Sequence, residues 1–276
     1  MTPVSHGKPC AGNPHARFDE GASASEEPRR NALLHKKLIV LVLVGISTMV
    51  TQATTLTGNL IVWECPHCGA KASEWELGSW NTFGAVSWSD CFRIAPMAPS
   101  QDLVSRCWKC KKAFAKWEAK CDVISEKKVP KESRKRIKWI GDYPALKEVL
   151  DAGKGKLKPE FERDLRMSML WAANHKYRKV TLGADDHQLA ERLRIEEIPV
   201  AEVQENILKL SSSTNLPMWL RAEVLREKGD FDAAKKMMDE FAKSNPDDFK
   251  RGEEYFKEVL ERIKKKDPKV FKLSGR

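Results

Sequence analysis

The sequence predicts an α+β protein, in which a small β-rich module is followed by an all-α domain. Two C-x-x-C pairs, at Cys65 to Cys68 and at Cys107 to Cys110, indicate a metal-stabilised module in the first half of the chain. From Asp142 onward, apolar residues recur at helical spacing. Hydrophobic residues make up 41% of the 276 residues and charged residues 32%, which fits a charge-rich, mostly helical protein with room for two domains.

Residues 1–37 predict a disordered segment, because they are rich in Gly, Pro, Ser and Ala and have few periodic apolar positions. The segment 38–60 begins with an apolar run of 13 residues, Leu38 to Val50, whereas a helix that spans a bilayer needs about 20. Four interpretations stay open. The segment is a transmembrane anchor that reaches residue 56, a signal segment, a buried segment, or a stretch upstream of a true translation start at Met49.

The two C-x-x-C pairs predict one structural zinc site, with Zn²⁺ as its cofactor. Zn²⁺ prefers four tetrahedral ligands, and thiolates are favoured in structural sites. Gly69 follows the first pair, where a tight turn needs a residue that tolerates positive φ, and Lys111 stands in its place after the second pair. Four thiolates leave no open coordination position, which is typical of structural rather than catalytic zinc. The predicted ligands are Cys65, Cys68, Cys107 and Cys110.

Other interpretations of the cysteines are weaker. A thioredoxin-type redox pair lies within a βαβ unit, and no such pattern surrounds either pair. Disulfides need an oxidising compartment, and an odd total of seven cysteines argues against a complete disulfide framework. His67 is an alternative ligand, although a residue inside such a turn more often points to solvent. The spare residues Cys91 and Cys121 are expected to be buried or inert thiols.

The C-P-x-C-G and C-x-x-C sequences resemble the two knuckles of a zinc ribbon, which implies a ribbon domain over residues 61–122. The run from Asn81 to Asp90, NTFGAVSWSD, is followed by APMAP from Ala95 to Pro99. Together with the cysteine pairs, these runs resemble an uncharacterised bacterial zinc-ribbon family. The resemblance covers about a fifth of the chain and implies no known activity.

Large aromatic residues are frequent between and beside the two cysteine pairs. In a small domain, such rings bury the most apolar area per residue, so we expect them to form the core of the ribbon. A base-stacking platform for nucleic acid is the alternative. The rings are Trp63, Trp75, Trp80, Phe83, Trp88, Phe92 and Trp108.

The segment after the second cysteine pair is strongly basic, and the chain carries a formal net charge of +10. We expect a short strand and then a basic linker over residues 123–141. Such a charge run is usually a solvated surface, but beside a zinc ribbon it also allows nucleic-acid binding through residues 106–138. The residues predicted for this alternative are Lys111, Lys112, Lys116, Arg134, Lys135 and Arg136.

Proline and glycine bound the helices predicted in the all-α domain, residues 142–276. Pro144 lies in the first turn of the first helix, Gly153 ends it, and Pro159 opens the second. His175 and His187 are expected to be solvated. Further helices are predicted at 184–195, from Pro199, at 218–228, at 231–243 and at 247–266.

The stretch 217–246 resembles one tetratricopeptide unit. Ala222 and Ala234 stand where that unit places small residues, and Gly229 stands at the turn between its helices. Met218 replaces the usual Trp, and no second copy follows at a period of about 34 residues. The resemblance implies a single tetratricopeptide-like unit packed on the preceding helices, and generic packing of a helical hairpin is the alternative.

The sequence contains no P-loop, G-x-S-x-G or H-E-x-x-H motif, so we expect no enzyme. Cys91 and Cys121 would be the only candidate nucleophiles. We expect a zinc-binding adaptor whose helical domain binds a protein partner. A membrane contact through residues 38–56 is possible on the anchor interpretation. Thiolate ligands favour a reducing compartment and hence a cytoplasmic location, with a single membrane-anchoring N-terminal helix as the alternative.

Overall fold

The computed structural model describes residues 56–79, 81–96, 103–124, 139–182 and 186–273. In these residues the strands precede the helices, which confirms the predicted α+β class. The strands are β1 (Leu56–Glu64), β2 (Lys71–Ser79), β3 (Val86–Ser87), β4 (Arg93–Ile94), β5 (Val104–Arg106), β6 (Ala113–Ala115), β7 (Lys120–Ile124) and β8 (Trp139–Ile140). The helices are α1 (Tyr143–Ala152), α2 (Pro159–Leu182), α3 (His187–Arg192), α4 (Val200–Ser212), α5 (Met218–Lys228), α6 (Phe231–Ser244), α7 (Pro246–Arg251) and α8 (Glu253–Lys264).

Several predictions fall on parts of the chain outside these ranges. They concern residues 1–37, the apolar run Leu38–Val50, and most of the basic linker, including Arg134, Lys135 and Arg136. Within the described ranges, no helix combines the length and the apolar character that a membrane crossing requires.

Two small antiparallel sheets form the β-rich part. The first has the strand order β2-β1-β7, and Trp63 of β1 lies opposite Ala72 on one side and Cys121 on the other. The second has the order β6-β5-β8. Its third strand, β8, comes from the end of the stretch predicted to be a linker and pairs with Val104 and Ser105. Each cysteine pair lies at a hairpin turn, between β1 and β2 or between β5 and β6.

The chain between the two cysteine pairs forms a third, two-stranded hairpin, in which Val86 pairs with Ile94. The end of the chain joins this hairpin. The Leu273 amide donates to the Ser87 carbonyl at 2.8 Å, and the Ser89 amide donates to the Phe271 carbonyl at 3.0 Å. A segment inserted into the ribbon is thus hydrogen-bonded to the last described residues of the chain.

Helix boundaries follow local capping chemistry. The Asp142 carboxylate accepts from the Ala145 amide at 2.9 Å and caps α1, and Gly153 follows its last residue, as predicted. Gly229 ends α5 with φ of 88°, a left-handed conformation that glycine adopts without steric cost. The helix predicted over 247–266 is wrong as a single element, because Gly252 separates α7 from α8.

Residues of the ribbon and of the helical part share one hydrophobic core. Val104, Ala113 and Ala115 from β5 and β6 pack with buried residues of α1 and α2, including Leu146 and Leu165. A second core lies between α5, α6 and α8, where Ala222 and Ala234 are fully buried. The short side chains of these two alanines allow α5 and α6 to approach closely.

The aromatic residues do not form the single ribbon core that the sequence predicts. Trp63 and Trp88 are buried, but Trp88 packs against the helical part. Phe83 is 84% exposed, and Trp75 and Trp108 are also exposed. The expectation of a ribbon core was therefore wrong for Trp75, Phe83 and Trp108, which are exposed, and for Trp88, because its hairpin packs on the helices. Trp80 lies outside the described residues.

Candidate metal centre

The two cysteine turns have the same backbone geometry. In the first, the Gly69 amide donates to the Cys65 carbonyl at 2.9 Å, and in the second the Lys111 amide donates to the Cys107 carbonyl at 3.0 Å. Gly69 and Lys111 both have positive φ, at 67° and 64°. The prediction of positive φ at Gly69 is confirmed, and the structure shows that Lys111 adopts the same conformation. Each turn therefore aims its two sulfurs to one side of its hairpin.

The four predicted sulfur ligands converge on one point. All four Sγ atoms lie within 4.8 Å of one another. The Sγ atoms of Cys65 and Cys110 are 3.9 Å apart, and those of Cys68 and Cys107 are 3.6 Å apart. A tetrahedral zinc with Zn–S bonds of about 2.3 Å requires sulfurs about 3.8 Å apart. The four cysteines are thus placed to hold one metal ion, and their thiolate chemistry fits zinc.

The protein surroundings act on the thiols in different directions. Burial raises the pKa of the Cys65 thiol to about 12. Burial also acts to raise the pKa of Cys107, but backbone hydrogen bonds from Cys110 and Lys109 outweigh it and lower the value to about 7. A bound cation favours the thiolate form at every ligand. The metal would therefore complete the deprotonation that the second turn begins.

Neighbouring groups fix the two turns relative to each other. The His67 imidazole Nε2 is 2.9 Å from the Ala113 carbonyl of the second hairpin, so His67 bridges the two turns and lies outside the set of four converging ligands. The Trp108 indole donates to the Lys71 carbonyl at 3.1 Å. Glu148 of α1 accepts from the Ala113 amide at 2.8 Å, which joins the second hairpin to the helices.

No protein-family model, curated protein or solved structure matches the chain. The four clustered cysteines in a β-rich region are consistent with a zinc ribbon. The resemblance to an uncharacterised bacterial family stays a prediction.

The lysines predicted for the nucleic-acid alternative have different environments. Lys112 is exposed. Lys111 is also exposed, but its ammonium donates to the Trp108 carbonyl at 2.7 Å. Lys116 is half-buried, 5.3 Å from the centre of the Trp63 ring. Lys112 is therefore the most accessible of the three.

A buried polar network next to the third hairpin was not predicted from the sequence. Asp90, from the loop between β3 and β4, forms an ion pair with Arg178 of α2, and both side chains are fully buried. Asn174 donates its amide hydrogens to Asp90 at 3.1 Å and to Glu227 at 2.8 Å. Arg226 pairs with Glu223 on α5, and both of these side chains are also buried.

Two groups in this region have strongly perturbed pKa values. Burial raises the pKa of the Glu227 carboxyl well above its usual value, and Asp90 and Glu223 add to the effect. Burial also lowers the pKa of the His175 imidazole to about 4, with help from the Arg178 charge. The His175 ring lies against Phe92 with its Nδ1 atom 3.1 Å from the Arg194 carbonyl. The expectation of a solvated side chain was therefore wrong for His175, whereas His187 is exposed.

The two spare cysteines of the β-rich part occupy different sites. Cys91 follows Asp90 in the loop between β3 and β4 and has φ of 66°. The residue is exposed rather than buried, but the atoms packed around its sulfur raise the pKa of the thiol to about 12, and the negative charges of Asp90 and Glu223 contribute. Cys121 lies in β7, opposite Trp63, and is outside the cluster of four cysteines. It is disulfide-bonded, so the expectation of an inert thiol was wrong for Cys121, and such a bond is one that a reducing compartment disfavours.

Proposed function

We propose that this chain is a non-catalytic, zinc-binding adaptor protein that binds a protein partner through its helical domain. The observation that carries the proposal is the convergence of four sulfurs, Cys65, Cys68, Cys107 and Cys110, at distances that suit one tetrahedral zinc. Such a site leaves no position for a catalytic water. Because these ligands must be reduced, we also propose a cytoplasmic location.

The environment of Cys91 supports a role outside catalysis. A nucleophilic cysteine is activated by nearby positive charge or by a base that lowers its pKa. Cys91 is exposed, but the atoms packed around its sulfur and the charges of Asp90 and Glu223 instead raise the pKa of its thiol to about 12. At neutral pH, this thiol is protonated and a poor nucleophile.

The proposed partner surface lies on the outer face of α2. Tyr177 and Val180 are one helical turn apart, and they are 37% and 83% exposed. Exposed apolar pairs of this kind are typical of contact sites for proteins. The antiparallel helices α5 and α6, with Ala222 and Ala234 between them, support the proposal of a tetratricopeptide-like unit in the helical domain.

The experiment is native mass spectrometry of the tagged full chain, purified from the cells that produce it. We expect one zinc per chain and a stoichiometric protein partner. The double variant Tyr177→Asp/Val180→Asp should lose the partner but keep zinc and the wild-type melting temperature. Lys179→Ala changes an exposed residue between them and should keep the partner. Absence of any stoichiometric partner, or its full retention by the double variant, would overturn the adaptor proposal.

A second candidate function is the binding of single-stranded nucleic acid at the second cysteine turn. Trp108 is 42% exposed, and its indole is held in place by the hydrogen bond to the Lys71 carbonyl. Lys71, Lys109 and Lys112 have no carboxylate partner among the residues that the structure describes. An oriented aromatic ring with lysines around it suits base stacking and phosphate contact. The same lysines also offset the negative charge of a zinc–thiolate centre.

A salt titration with a labelled single-stranded oligonucleotide tests this second function. We expect binding that weakens steeply with salt, and a loss of about 1–3 kcal/mol in Trp108→Ala. Lys109→Glu/Lys112→Glu should lose binding, whereas the charge-matched control Lys264→Glu/Lys265→Glu on the far end of α8 should keep it. Absence of binding at low salt would exclude this function and leave the adaptor proposal standing.

A further inference from the structure

The hairpin segment 81–96 lies in the sequence between the two cysteine turns of the candidate metal centre. It follows β2, which begins just after the first cysteine turn, and it precedes β5, which leads into the second. Cys68 and Cys107 are the nearest ligands on either side, and their sulfurs are 3.6 Å apart. Metal binding therefore closes the loop from Cys68 to Cys107, which contains the segment, and lowers the entropy cost of holding the segment in place.

The middle of the same segment is held inside the helical part by polar contacts. Asp90 forms the buried ion pair with Arg178, and its backbone carbonyl accepts from the Trp171 indole at 2.9 Å. The neighbouring Ser89 carbonyl accepts from the Tyr255 hydroxyl of α8 at 2.9 Å. The contacts reach two helices that lie far apart in the sequence.

Apolar contacts reinforce this attachment. Trp88 is fully buried in a cluster with Leu182, Leu189 and Val270, from α2, α3 and the end of the chain. The Arg178 guanidinium lies 4.2 Å from the centre of the Phe92 ring. Without the segment, the C-terminal half of α2 would lose both the carboxylate that neutralises Arg178 and the rings that cover it.

The exposed residues Tyr177 and Val180 lie on other sides of α2 than the residues that contact the segment, although Tyr177 is only one turn from Asn174. Trp171, Asn174 and Arg178 are directed toward Asp90, while Tyr177 and Val180 are exposed. The segment therefore orders the part of α2 that carries the proposed partner surface.

We propose that zinc occupancy controls the order of the C-terminal half of α2, residues 171–182, and that the segment 81–96 transmits this control through Asp90. When zinc leaves, the loop from Cys68 to Cys107 is no longer closed, so holding the segment in place costs more entropy and the buried Asp90–Arg178 contact is weakened. The partner surface at Tyr177 and Val180 then loses its fixed conformation. This last step rests on the proposed adaptor function, whereas the coupling itself does not.

Hydrogen–deuterium exchange of the full chain tests the coupling. We expect zinc removal by a chelator under reducing conditions to raise exchange at least tenfold in residues 171–182, as well as in both cysteine turns. Asp90→Asn, with zinc still bound, should raise exchange in residues 171–182 while the cysteine turns stay protected. Asp239→Asn, a matched change in an exposed ion pair of α6, should leave all these regions unchanged.

One further variant keeps the test decisive. Tyr255→Phe removes only the hydroxyl that binds the Ser89 carbonyl, so it should give a smaller change in the same direction if Asp90→Asn does not fold. Unchanged exchange in residues 171–182 after zinc removal, or in a folded Asp90→Asn, overturns the proposal. Coupling without any zinc-dependent partner would instead refute the adaptor function and leave the coupling established.

Discussion

Asp90 and Arg178 form an ion pair in which both side chains are fully buried, although 88 positions separate them in the sequence. One partner comes from the hairpin between the cysteine turns and the other from α2. Burying two charges is costly unless they pair with good geometry, and removal of one partner leaves the other charge uncompensated. This contact therefore makes the relative placement of the ribbon and α2 specific.

We expect the effects of substituting Asp90 and Arg178 on the free energy of unfolding to be strongly non-additive. Asp90→Ala should lower the free energy of unfolding by about 3–5 kcal/mol, because Arg178 stays buried without a counter-charge. The double variant Asp90→Ala/Arg178→Met should lose clearly less than the sum of the two single variants. Urea denaturation of all four proteins measures this difference.

The exposed pair Lys235–Asp239 on α6 is the control for this cycle. Its removal should cost less than about 1 kcal/mol, because solvent screens the charges. Simple additivity of the Asp90 and Arg178 variants would show that the two side chains do not interact as the structure indicates.

We expect substitutions at Gly69 and Lys111, which occupy the same position in the two cysteine turns, to have opposite effects on the stability of the protein. Lys111→Gly should raise stability by about 0.5–1 kcal/mol, because glycine adopts positive φ without the steric cost that lysine has. Gly69→Ala should lower it by about 1 kcal/mol through conformation alone, since an added Cβ would meet nothing nearer than Glu64 Oε1 at 3.9 Å.

Thermal melts of both variants with zinc bound, and competition with a chelator, check this pair of predictions. Lys112→Gly, one residue after the strained position, should not stabilise the protein. A decrease in melting temperature for Lys111→Gly would mean that its ammonium contact with the Trp108 carbonyl outweighs the backbone strain.

The raised pKa of Glu227 predicts a loss of stability as pH rises. Above the pKa of an unfolded glutamate, about 4.3, the unfolded chain releases a proton that the folded chain keeps. The contribution of Glu227 to the free energy of unfolding is therefore largest at low pH. It decreases as pH rises, until pH reaches the pKa of Glu227 in the folded protein. Glu227→Gln cannot ionise, so it should be more stable than the wild type at pH 7.

Melting temperatures from pH 4 to 8 test this difference. The advantage of Glu227→Gln should grow with pH across that range. The exposed variant Glu240→Gln, on α6, serves as the control and should follow the wild-type curve. Identical pH curves for Glu227→Gln and the wild type would contradict a neutral carboxyl at this site.

We expect the contribution of His175 to stability to depend on pH in the opposite direction to that of Glu227. Its folded pKa is lowered to about 4, so below about 6.5 the unfolded chain binds a proton that the folded chain excludes. The stability contribution is present above pH 6.5 and is lost as pH falls toward 4. His175→Gln should remove this part of the acid sensitivity, as measured by urea denaturation at several pH values.

His187→Gln is the matched control, because His187 lies exposed on α3. It should keep the acid sensitivity of the wild type. If His175→Gln also keeps this acid sensitivity, the His175 imidazole binds its proton in the folded protein as readily as in the unfolded chain.

Local signals were sufficient for the metal centre and for many helix boundaries. Cys65, Cys68, Cys107 and Cys110 were predicted from spacing alone, because two residues between cysteines define one turn and four thiolates define one ion. The end of α1 at Gly153 and the end of α5 at Gly229 were predicted because capping depends on residues within one helical turn.

Other features could not be predicted from neighbouring residues. Trp88 and Trp63 are both tryptophans beside polar residues, yet one packs on the helical part and the other lies in the ribbon sheet. Aromatic side chains are generally buried. The residues next to an aromatic residue in the sequence do not indicate which element of the fold will cover its ring. The same holds for Asp90, whose short side chain in a turn suggests solvent exposure.

The sequence by itself thus determined the α+β class, the four clustered cysteines and the left-handed position Gly69, because each depends on contacts within a few residues. The tertiary structure alone decided that the hairpin between the cysteine turns packs into the helical part. It placed Asp90 against Arg178 and left Glu227 buried beside them. These groups come from distant elements, and their charges and pKa values depend on the low-polarity surroundings that only the packed chain creates.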